Sequence, residues 1–223
     1  MIKKYQAANY SLPEYNPDAD FDWIRHHSDL PWLPLDISVP VHMILEEIGR
    51  VRPLMTPHRD DYGEHQGWYS FCIHGRGFNL TLSDHHYQDT DTHYHWTAEA
   101  IQHMPGTIQY FKTQWPADQY RRLRVMLLAP GGYITLHSDG TGPALTPINI
   151  AITQPDECHF VVEHCGTVPF RPGAAMWMNV HNRHAVENRS ASDRWHLIVH
   201  QNLDCPEFQS LVMRSYHLLY HKF

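Results

Sequence analysis

From residue 119 to residue 203 the sequence consists of short strand-like runs separated by Gly, Pro, Asn and Asp, with no helical pattern between them. The runs are RLRVMLLAP (122–130), YITLHSD (133–139), TPINIAIT (146–153), CHFVVEH (158–164), AAMWMNV (174–180), HAVEN (184–188) and RWHLIVHQ (194–201). In TPINIAIT, isoleucines alternate with Asn149, Ala151 and Thr153, which predicts a strand with one apolar face. Evenly spaced short strands predict a closed antiparallel sandwich or jelly roll rather than a parallel α/β sheet.

The flanking segments predict helices that buttress this mostly β core. Helical spacing of apolar residues predicts a helix in 39–51, and 96–115 predicts two short helices separated at Pro105-Gly106. Residues 67–82 predict a strand, a turn and a second strand, and 205–221 predicts a helix outside the sheets. We expect one domain over 1–223, with a buttress and pocket wall in 1–118, the jelly-roll core in 119–203 and the C-terminal helix in 204–223.

Composition narrows the classes of partner. The formal net charge is -7 and no basic run tracks a phosphate backbone, so we expect no nucleic-acid partner. No apolar stretch reaches the length of a bilayer span, which predicts a soluble, cytoplasmic protein without a membrane partner. The four cysteines form no CxxC pair, which indicates isolated core residues or free thiols rather than a disulfide framework.

Histidine is the unusual residue of this chain, since 20 of them create chance metal motifs. His-x-Asp occurs at His27/Asp29, His58/Asp60 and His137/Asp139, and His-x-His occurs at His93/His95. The first copy precedes Leu30-Pro31, which predicts a loop or helix end, and the second lies in the charged, turn-like TPHRDDYGEH. We therefore expect neither of these two copies to hold a metal.

The copy at His137/Asp139 has a different context. It ends a predicted strand that follows Pro130-Gly131-Gly132, a strong turn signal, so both side chains should point to one side of the pleat. Tyr133 and Thr135 are expected on that same side, and Ile134 and Leu136 on the other. A third ligand from a later strand would complete the 2-His-1-carboxylate arrangement of non-haem Fe(II), which leaves coordination positions open. His184 is the best candidate for that ligand, and His181 is its competitor.

Arg194 stands ten residues after His184, at the start of the next predicted strand. A hairpin between the two strands would place its guanidinium on the same interior face as the metal ligands. A buried Arg there needs an anion. A dicarboxylate co-substrate that chelates iron at one end would offer its other carboxylate to Arg194 in bidentate hydrogen bonds.

Residues 122–200 resemble the aspartyl/asparaginyl β-hydroxylase family of Fe(II)/2-oxoglutarate dioxygenases, which includes free-proline hydroxylases. The resemblance rests on four features in order: PGG-x-I-x-x-H, the HxD at His137/Asp139, the distal His184, and Arg194. It implies a cupin-like double-stranded β-helix, Fe(II) held by those three residues, and Arg194 on the distal carboxylate of 2-oxoglutarate. It also implies that O2 is used to hydroxylate an unactivated C–H bond, with release of succinate and CO2.

Other positions bear on co-substrate and substrate. On the strand after HxD, some family members contact the co-substrate through an Arg and a His, and the matching places here are Pro147 and Asn149. Asn149 can still donate one hydrogen bond. Arg124, on the strand before HxD, is a candidate for a substrate carboxylate, and Trp68 and Arg76 are candidates for the pocket wall, although Trp68 also suits a core strand. The expected substrate is a free amino acid or a peptide or protein side chain.

Two rival functions use the same residues. One is a cupin-like Zn or Mn hydrolase or isomerase, which would act without O2 and would not need Arg194. The other is a non-catalytic metal- or ligand-sensing β-sandwich, whose site would be closed to a co-substrate.

Overall fold

The computed structural model of the chain describes residues 2–3, 10–58, 65–79, 94–139 and 142–221. Its helices are α1 Phe21–His27, α2 Val41–Val51, α3 Ala98–His103, α4 Pro105–Thr113 and α5 Pro206–His221. Its strands are β1 Trp32–Leu35, β2 Thr56–Pro57, β3 His65–Gly75, β4 His95–Trp96, β5 Tyr120–His137, β6 Ile148–Ala151, β7 Cys158–Val162, β8 Gly166–Thr167, β9 Ala175–Met178, β10 His184–Asn188 and β11 Arg194–Gln201.

The strands form one antiparallel sheet in the order β1-β9-β6-β11-β5-β10-β7-β8, and β3 pairs along β5 and also with β2 and β4. The first part of β5 pairs with β11, whereas its last residues pair with β10. The sheet therefore folds along β5 into a larger half that ends at β1 and a smaller half that ends at β8. This is the double-stranded β-helix that the sequence predicted, so the fold class is confirmed.

The larger half of the sheet has a different hydrophobic layer on each of its two faces. Ile148, Ile150 and Ile152 pack with α1, α2, α4 and α5 in one layer, while Ala151 packs with Phe160 of the smaller half in the other. The alternation that the sequence predicted for 146–153 is thus confirmed. Residues from both halves meet in the interior between them.

The predicted turn at Pro130-Gly131-Gly132 is wrong, because β5 passes through these residues as one bent strand. Gly131 has φ +74, and a Cβ on Gly132 would lie 2.8 Å from the Ala129 carbonyl oxygen and 2.9 Å from that of Gln66. The bend thus depends on a residue without a side chain where β3 and β5 approach.

The predicted hairpin between 184–188 and 194–201 is also wrong. β10 pairs with β5 and β7 in the smaller half, whereas β11 pairs with β5 and β6 in the larger half. Residues 189–193 cross from one half to the other beside the bend, where the Asn188 side-chain amide donates to the carbonyl oxygens of Leu128 and Ser192.

The helices follow the predictions closely. The helix predicted in 39–51 is α2, the helix predicted in 205–221 is α5, and the two predicted in 96–115 are α3 and α4. Pro105 is the first residue of α4, where its missing N–H costs nothing. For α1 the sequence indicated only a loop or helix end near His27, and it did not indicate β1. The second strand predicted in 67–82 extends into residues outside the described ranges. All four cysteines are free, as expected. Within the described ranges, no helix is long and apolar enough to cross a membrane.

Candidate metal centre and co-substrate pocket

Three side chains from the smaller half converge at one end of the interior. His137, Asp139 and His184 each offer one ligand atom, and these atoms lie within 4.8 Å of one another. The Asp139 carboxylate is 3.7 Å from His137 Nε2 and 3.8 Å from His184 Nε2. The structure therefore brings together the His-x-Asp motif with His184 and not with His181, which is exposed.

Backbone carbonyls orient both imidazole rings. His137 Nδ1–H donates to the Thr135 carbonyl oxygen at 2.7 Å, and His184 Nδ1–H donates to that of Asn182 at 2.9 Å. Because each Nδ1 carries the proton, each Nε2 presents a lone pair toward Asp139. Such hydrogen bonds on the far nitrogen are typical of metal-binding histidines.

The register between β5 and β10 aims the ligands. His137 lies opposite His184, and their ring centroids are 4.4 Å apart. A register shift follows, so that Val186 pairs with Ile134, and these two pack together in the interior layer. The predicted sides of Tyr133 and Ile134 are therefore wrong, whereas Leu136 packs with Val161 and Ala185 on the other face, as predicted. Ile134 shares the interior with His137, while Tyr133 pairs with Glu187, because a bulge changes the alternation.

Asp139 lies beyond the end of β5, and the loop holds it in place. Its backbone N–H donates to the Val180 carbonyl oxygen at 3.1 Å, and the Ser138 hydroxyl donates to that of His181 at 2.7 Å. His181 thus supports the loop through its main chain. The side chain of Asp139 is 38% exposed and that of His184 only 8%, so the group opens on the Asp139 side.

The donor set fits Fe(II). Two neutral imidazoles and one carboxylate on one side are the ligands of the facial arrangement that leaves positions for other molecules. Among the described residues, this is the one group of three or more metal-ligating side chains whose ligand atoms meet.

The other motif copies are placed differently. His27 is an exposed residue at the end of α1, and Asp29 follows the Ser28 cap with φ +54, so of the two predicted alternatives, a loop or a helix end, the structure has the helix end. His58, which we expected in an exposed turn, is instead buried against Trp68, with ring centroids 4.2 Å apart, because β2 pairs with β3 there. Asp60 and His93 lie outside the described residues.

Arg194 lies buried in the same interior. Its guanidinium carbon is 5.9 Å from the centre of the Phe160 ring and 5.8 Å from that of Phe170. Phe160 also stacks on His184, with ring centroids 5.5 Å apart. Burial lowers the pKa of Arg194 to about 10, and no carboxylate of the described residues lies within ion-pair distance of it. A buried guanidinium without a carboxylate partner is costly unless an anion joins it.

The remaining candidates occupy different parts of the interior. Asn149 and Arg124 are buried, and both lie opposite Ile198, on either side of β11. Trp68 is half-buried and packs with the interior layer beside Leu128. Arg76 is exposed in the segment after β3, so it is not brought into the buried part of the interior.

Sequence reasoning missed His196, the second neighbour of Arg194 along β11. His196 is buried, and its Nδ1 lies 3.0 Å from an Arg194 Nη2 atom. Strand alternation could have revealed it, since residues 194 and 196 of one strand share a face.

Comparisons with known proteins bear on the family. The family model described as aspartyl/asparaginyl beta-hydroxylase matches residues 41–202. No curated protein matches the chain in sequence.

Solved structures with a similar fold include a prolyl-4-hydroxylase from Pseudomonas putida, at 13% identity, with 81% of this chain and 96% of that chain covered and a TM-score of 0.44. A Trichoplax adhaerens prolyl hydroxylase in complex with a hypoxia inducible factor peptide has 8% identity, 84% and 86% coverage, and a TM-score of 0.46. A 2OG-Fe(II) oxygenase family protein from Burkholderia pseudomallei has 14% identity, 70% and 88% coverage, and a TM-score of 0.41. These scores are too low to carry an assignment.

The family model covers most of the chain, from α2 to the residue after β11, and includes the converging histidines, Asp139 and Arg194. The chain therefore belongs to the aspartyl/asparaginyl β-hydroxylase family and is a hydroxylase.

Proposed function

We propose that the protein is an Fe(II)- and 2-oxoglutarate-dependent dioxygenase that hydroxylates an unactivated C–H bond of an amino acid or aminoacyl side chain. One observation carries the proposal: the His137, Asp139 and His184 group shares an interior with Arg194, a buried cation that has no carboxylate partner among the described residues. The four free thiols favour a reducing compartment, and we place the enzyme in the cytoplasm.

His137, Asp139 and His184 would hold the iron through two Nε2 atoms and one carboxylate oxygen. Bound Fe(II), 2-oxoglutarate and O2 together supply the oxidising chemistry, in which the co-substrate becomes succinate and CO2 and the substrate gains a hydroxyl group. The carbonyl acceptors of Thr135 and Asn182 keep the Nε2 lone pairs directed at the metal.

Arg194 would bind the distal carboxylate of 2-oxoglutarate. Phe160, which contacts both Arg194 and His184, excludes water between the two ends of the co-substrate. Asn149 would donate one hydrogen bond from the facing strand β6, where it is buried on the interior side.

We assign the substrate side of the interior to Arg124 and Trp68, with Arg76 at its rim. Because β5 bends at Pro130-Gly131-Gly132, Arg124 on its first part and His137 on its last part both lie away from the bend, on facing halves of the sheet. A substrate that presents a C–H bond to the metal would thus reach Arg124 with a carboxylate, as a free amino acid can.

The test is anaerobic addition of Fe(II) and 2-oxoglutarate, which should produce the visible charge-transfer absorption of the chelate. Arg194→Leu should weaken 2-oxoglutarate binding roughly 100-fold or more, because it removes the partner of a buried charge. His137→Ala should abolish the absorption. No absorption in iron-loaded protein, or absorption that persists in His137→Ala, would contradict the proposal.

The substrate requires a second experiment. Free amino acids and short peptides are incubated with the iron-loaded enzyme, and succinate release coupled to each is measured. Arg124→Leu should raise the KM for a free amino acid and leave uncoupled succinate formation unchanged. Turnover without O2 that is insensitive to Arg194→Leu would instead favour a cupin-like hydrolase or isomerase.

A further inference from the structure

Arg194 is the first member of a row of hydrogen-bonded side chains that also contains His196 and Gln154, to which the proposed function assigns no role. An Arg194 Nη2 atom donates to His196 Nδ1 at 3.0 Å, and His196 Nε2 lies 3.4 Å from Gln154 Oε1. The Gln154 side-chain Nε2 in turn donates to the Cys158 carbonyl oxygen. His196 is 1% exposed, and each of its ring nitrogens faces one of these partners.

The hydrogen bonds that link Arg194, His196, Gln154 and Cys158 allow only one assignment of donors and acceptors. The Cys158 carbonyl only accepts, so Gln154 presents its amide nitrogen there and its Oε1 to His196. His196 therefore carries its proton on Nε2 and accepts from Arg194 through Nδ1. This is the opposite tautomer from that of His137 and His184, which carry their protons on Nδ1.

Aromatic contacts prevent His196 and Arg194 from rearranging independently. The rings of His196 and Phe170 meet in a T-shaped arrangement, at a centroid distance of 4.7 Å and an interplanar angle of 77°. Phe170 and Phe160 also flank the guanidinium. One of the five N–H donors of Arg194 thus points to His196 Nδ1, and the other four are directed elsewhere around the guanidinium.

We infer that His196 is a positioning residue for the co-substrate, which acts through Arg194: Gln154 fixes the His196 tautomer, and His196 fixes the guanidinium edge that receives the distal carboxylate. This inference rests on the proposed function. A change at position 196 should therefore affect some ligands and not others, because only a ligand with a distal carboxylate depends on the orientation of Arg194. A ligand without that group would bind the metal equally well whichever residue stands at position 196.

The experiment compares two ligands on Mn(II)-loaded protein by calorimetry. One is 2-oxoglutarate, and the other is 2-oxopentanoate, which has the same carbon chain with a methyl group in place of the distal carboxylate. His196→Leu keeps the bulk against Phe170 but removes the acceptor, so it should weaken 2-oxoglutarate binding roughly 10- to 100-fold, as expected for a hydrogen bond to a charged group. Binding of 2-oxopentanoate and of Mn(II) should stay within about threefold.

Two further variants keep the test decisive. His196→Asn retains an acceptor near the Nδ1 position and should bind 2-oxoglutarate within about threefold of the wild type. Gln154→Leu, at a half-buried position that tolerates change better, should reduce 2-oxoglutarate binding in the same selective way. If His196→Leu does not fold, the Gln154→Leu variant tests the inference in its place.

Three outcomes overturn the inference. If His196→Leu weakens both ligands equally, His196 supports the fold and not the orientation of Arg194. If it weakens neither, the hydrogen bond has no role in binding. If Arg194→Leu binds 2-oxoglutarate as well as the wild type, the proposed function itself fails, and this inference with it.

Discussion

His137 and His184 each use one ring nitrogen as a donor to the backbone, so the lone pair of the other nitrogen is directed toward Asp139, where a metal would bind. The tripeptide His-Ser-Asp at 27–29 lacks this support. There, the Ser28 hydroxyl donates to the Ile24 carbonyl oxygen at 2.6 Å and ends a helix, while His27 and Asp29 remain exposed. Identical residues therefore differ in their suitability as metal ligands because different backbone conformations present them.

This difference gives the prediction at the residue scale. His137→Ala should raise the dissociation constant for Fe(II), measured anaerobically by calorimetry, by more than 100-fold, since loss of even an outer partner of a metal ligand costs roughly 10- to 100-fold. His27→Ala is the matched control and should leave the constant unchanged. Equal losses in both variants would mean that the metal binds by general histidine content.

At the scale of elements, β5 decides the geometry of the site, because it contributes to both halves of the folded sheet. Its bend places Arg194, opposite Leu128, beside the crossing that returns the chain from β10 to β11. The candidate metal ligands lie at the other end of β10, where His184 begins the strand opposite His137. Gly132 makes the bend possible, since backbone atoms occupy the space of its missing side chain.

Gly132→Ala should therefore lower the free energy of unfolding by roughly 1–3 kcal/mol, because the added Cβ is overpacked against the backbone. It should also weaken Fe(II) binding, since His137 follows the bend. Gly49→Ala is the control: Gly49 lies in α2 with nothing within 4 Å of its Cβ position, and alanine there should stabilise by about 0.5–1 kcal/mol. Urea unfolding measures both, and an unchanged midpoint in Gly132→Ala would contradict the account of the bend.

At the scale of the whole molecule, several histidines are withdrawn from solvent: His74 and His196 are buried, and His200 is half-buried. Burial, with His95 nearby, lowers the pKa of His74 to about 4. Burial also lowers the pKa of His196, with a contribution from Arg194, and that of His200, with contributions from Arg122 and Arg124. In the unfolded chain these groups would titrate near their ordinary pKa of about 6.5.

Stability should therefore fall as the pH drops from about 6.5 toward 4, because the unfolded chain takes up protons that the folded chain refuses. Each such histidine contributes a slope of up to about 1.4 kcal/mol per pH unit in that window, and nothing above it. Urea unfolding at several pH values measures the slope. His74→Asn should reduce it, and His42→Asn, at an exposed position of α2, should not. A flat profile between pH 7 and 5 would refute the prediction.

The sequence predicted much of the fold because its strands carry local signals. The runs 184–188 and 194–201 match β10 and β11 residue for residue, and the isoleucine face of 146–153 is confirmed. The predictions failed where strands meet. The Pro130-Gly131-Gly132 segment has the composition of a turn, yet the residues on either side of it pair with β3, β10 and β11, which keeps the segment within one strand.

The sequence by itself determined which residue types could form the site: a His-x-Asp, a later histidine and an arginine in an order that the family shares. The tertiary structure alone decided that His184 and not His181 joins His137 and Asp139, that Ile134 faces the interior, and that His196 lies against Arg194. The physical reason is that these choices depend on a bulge, on strand register and on burial. All three arise from contacts between residues far apart in the chain, which no local pattern encodes.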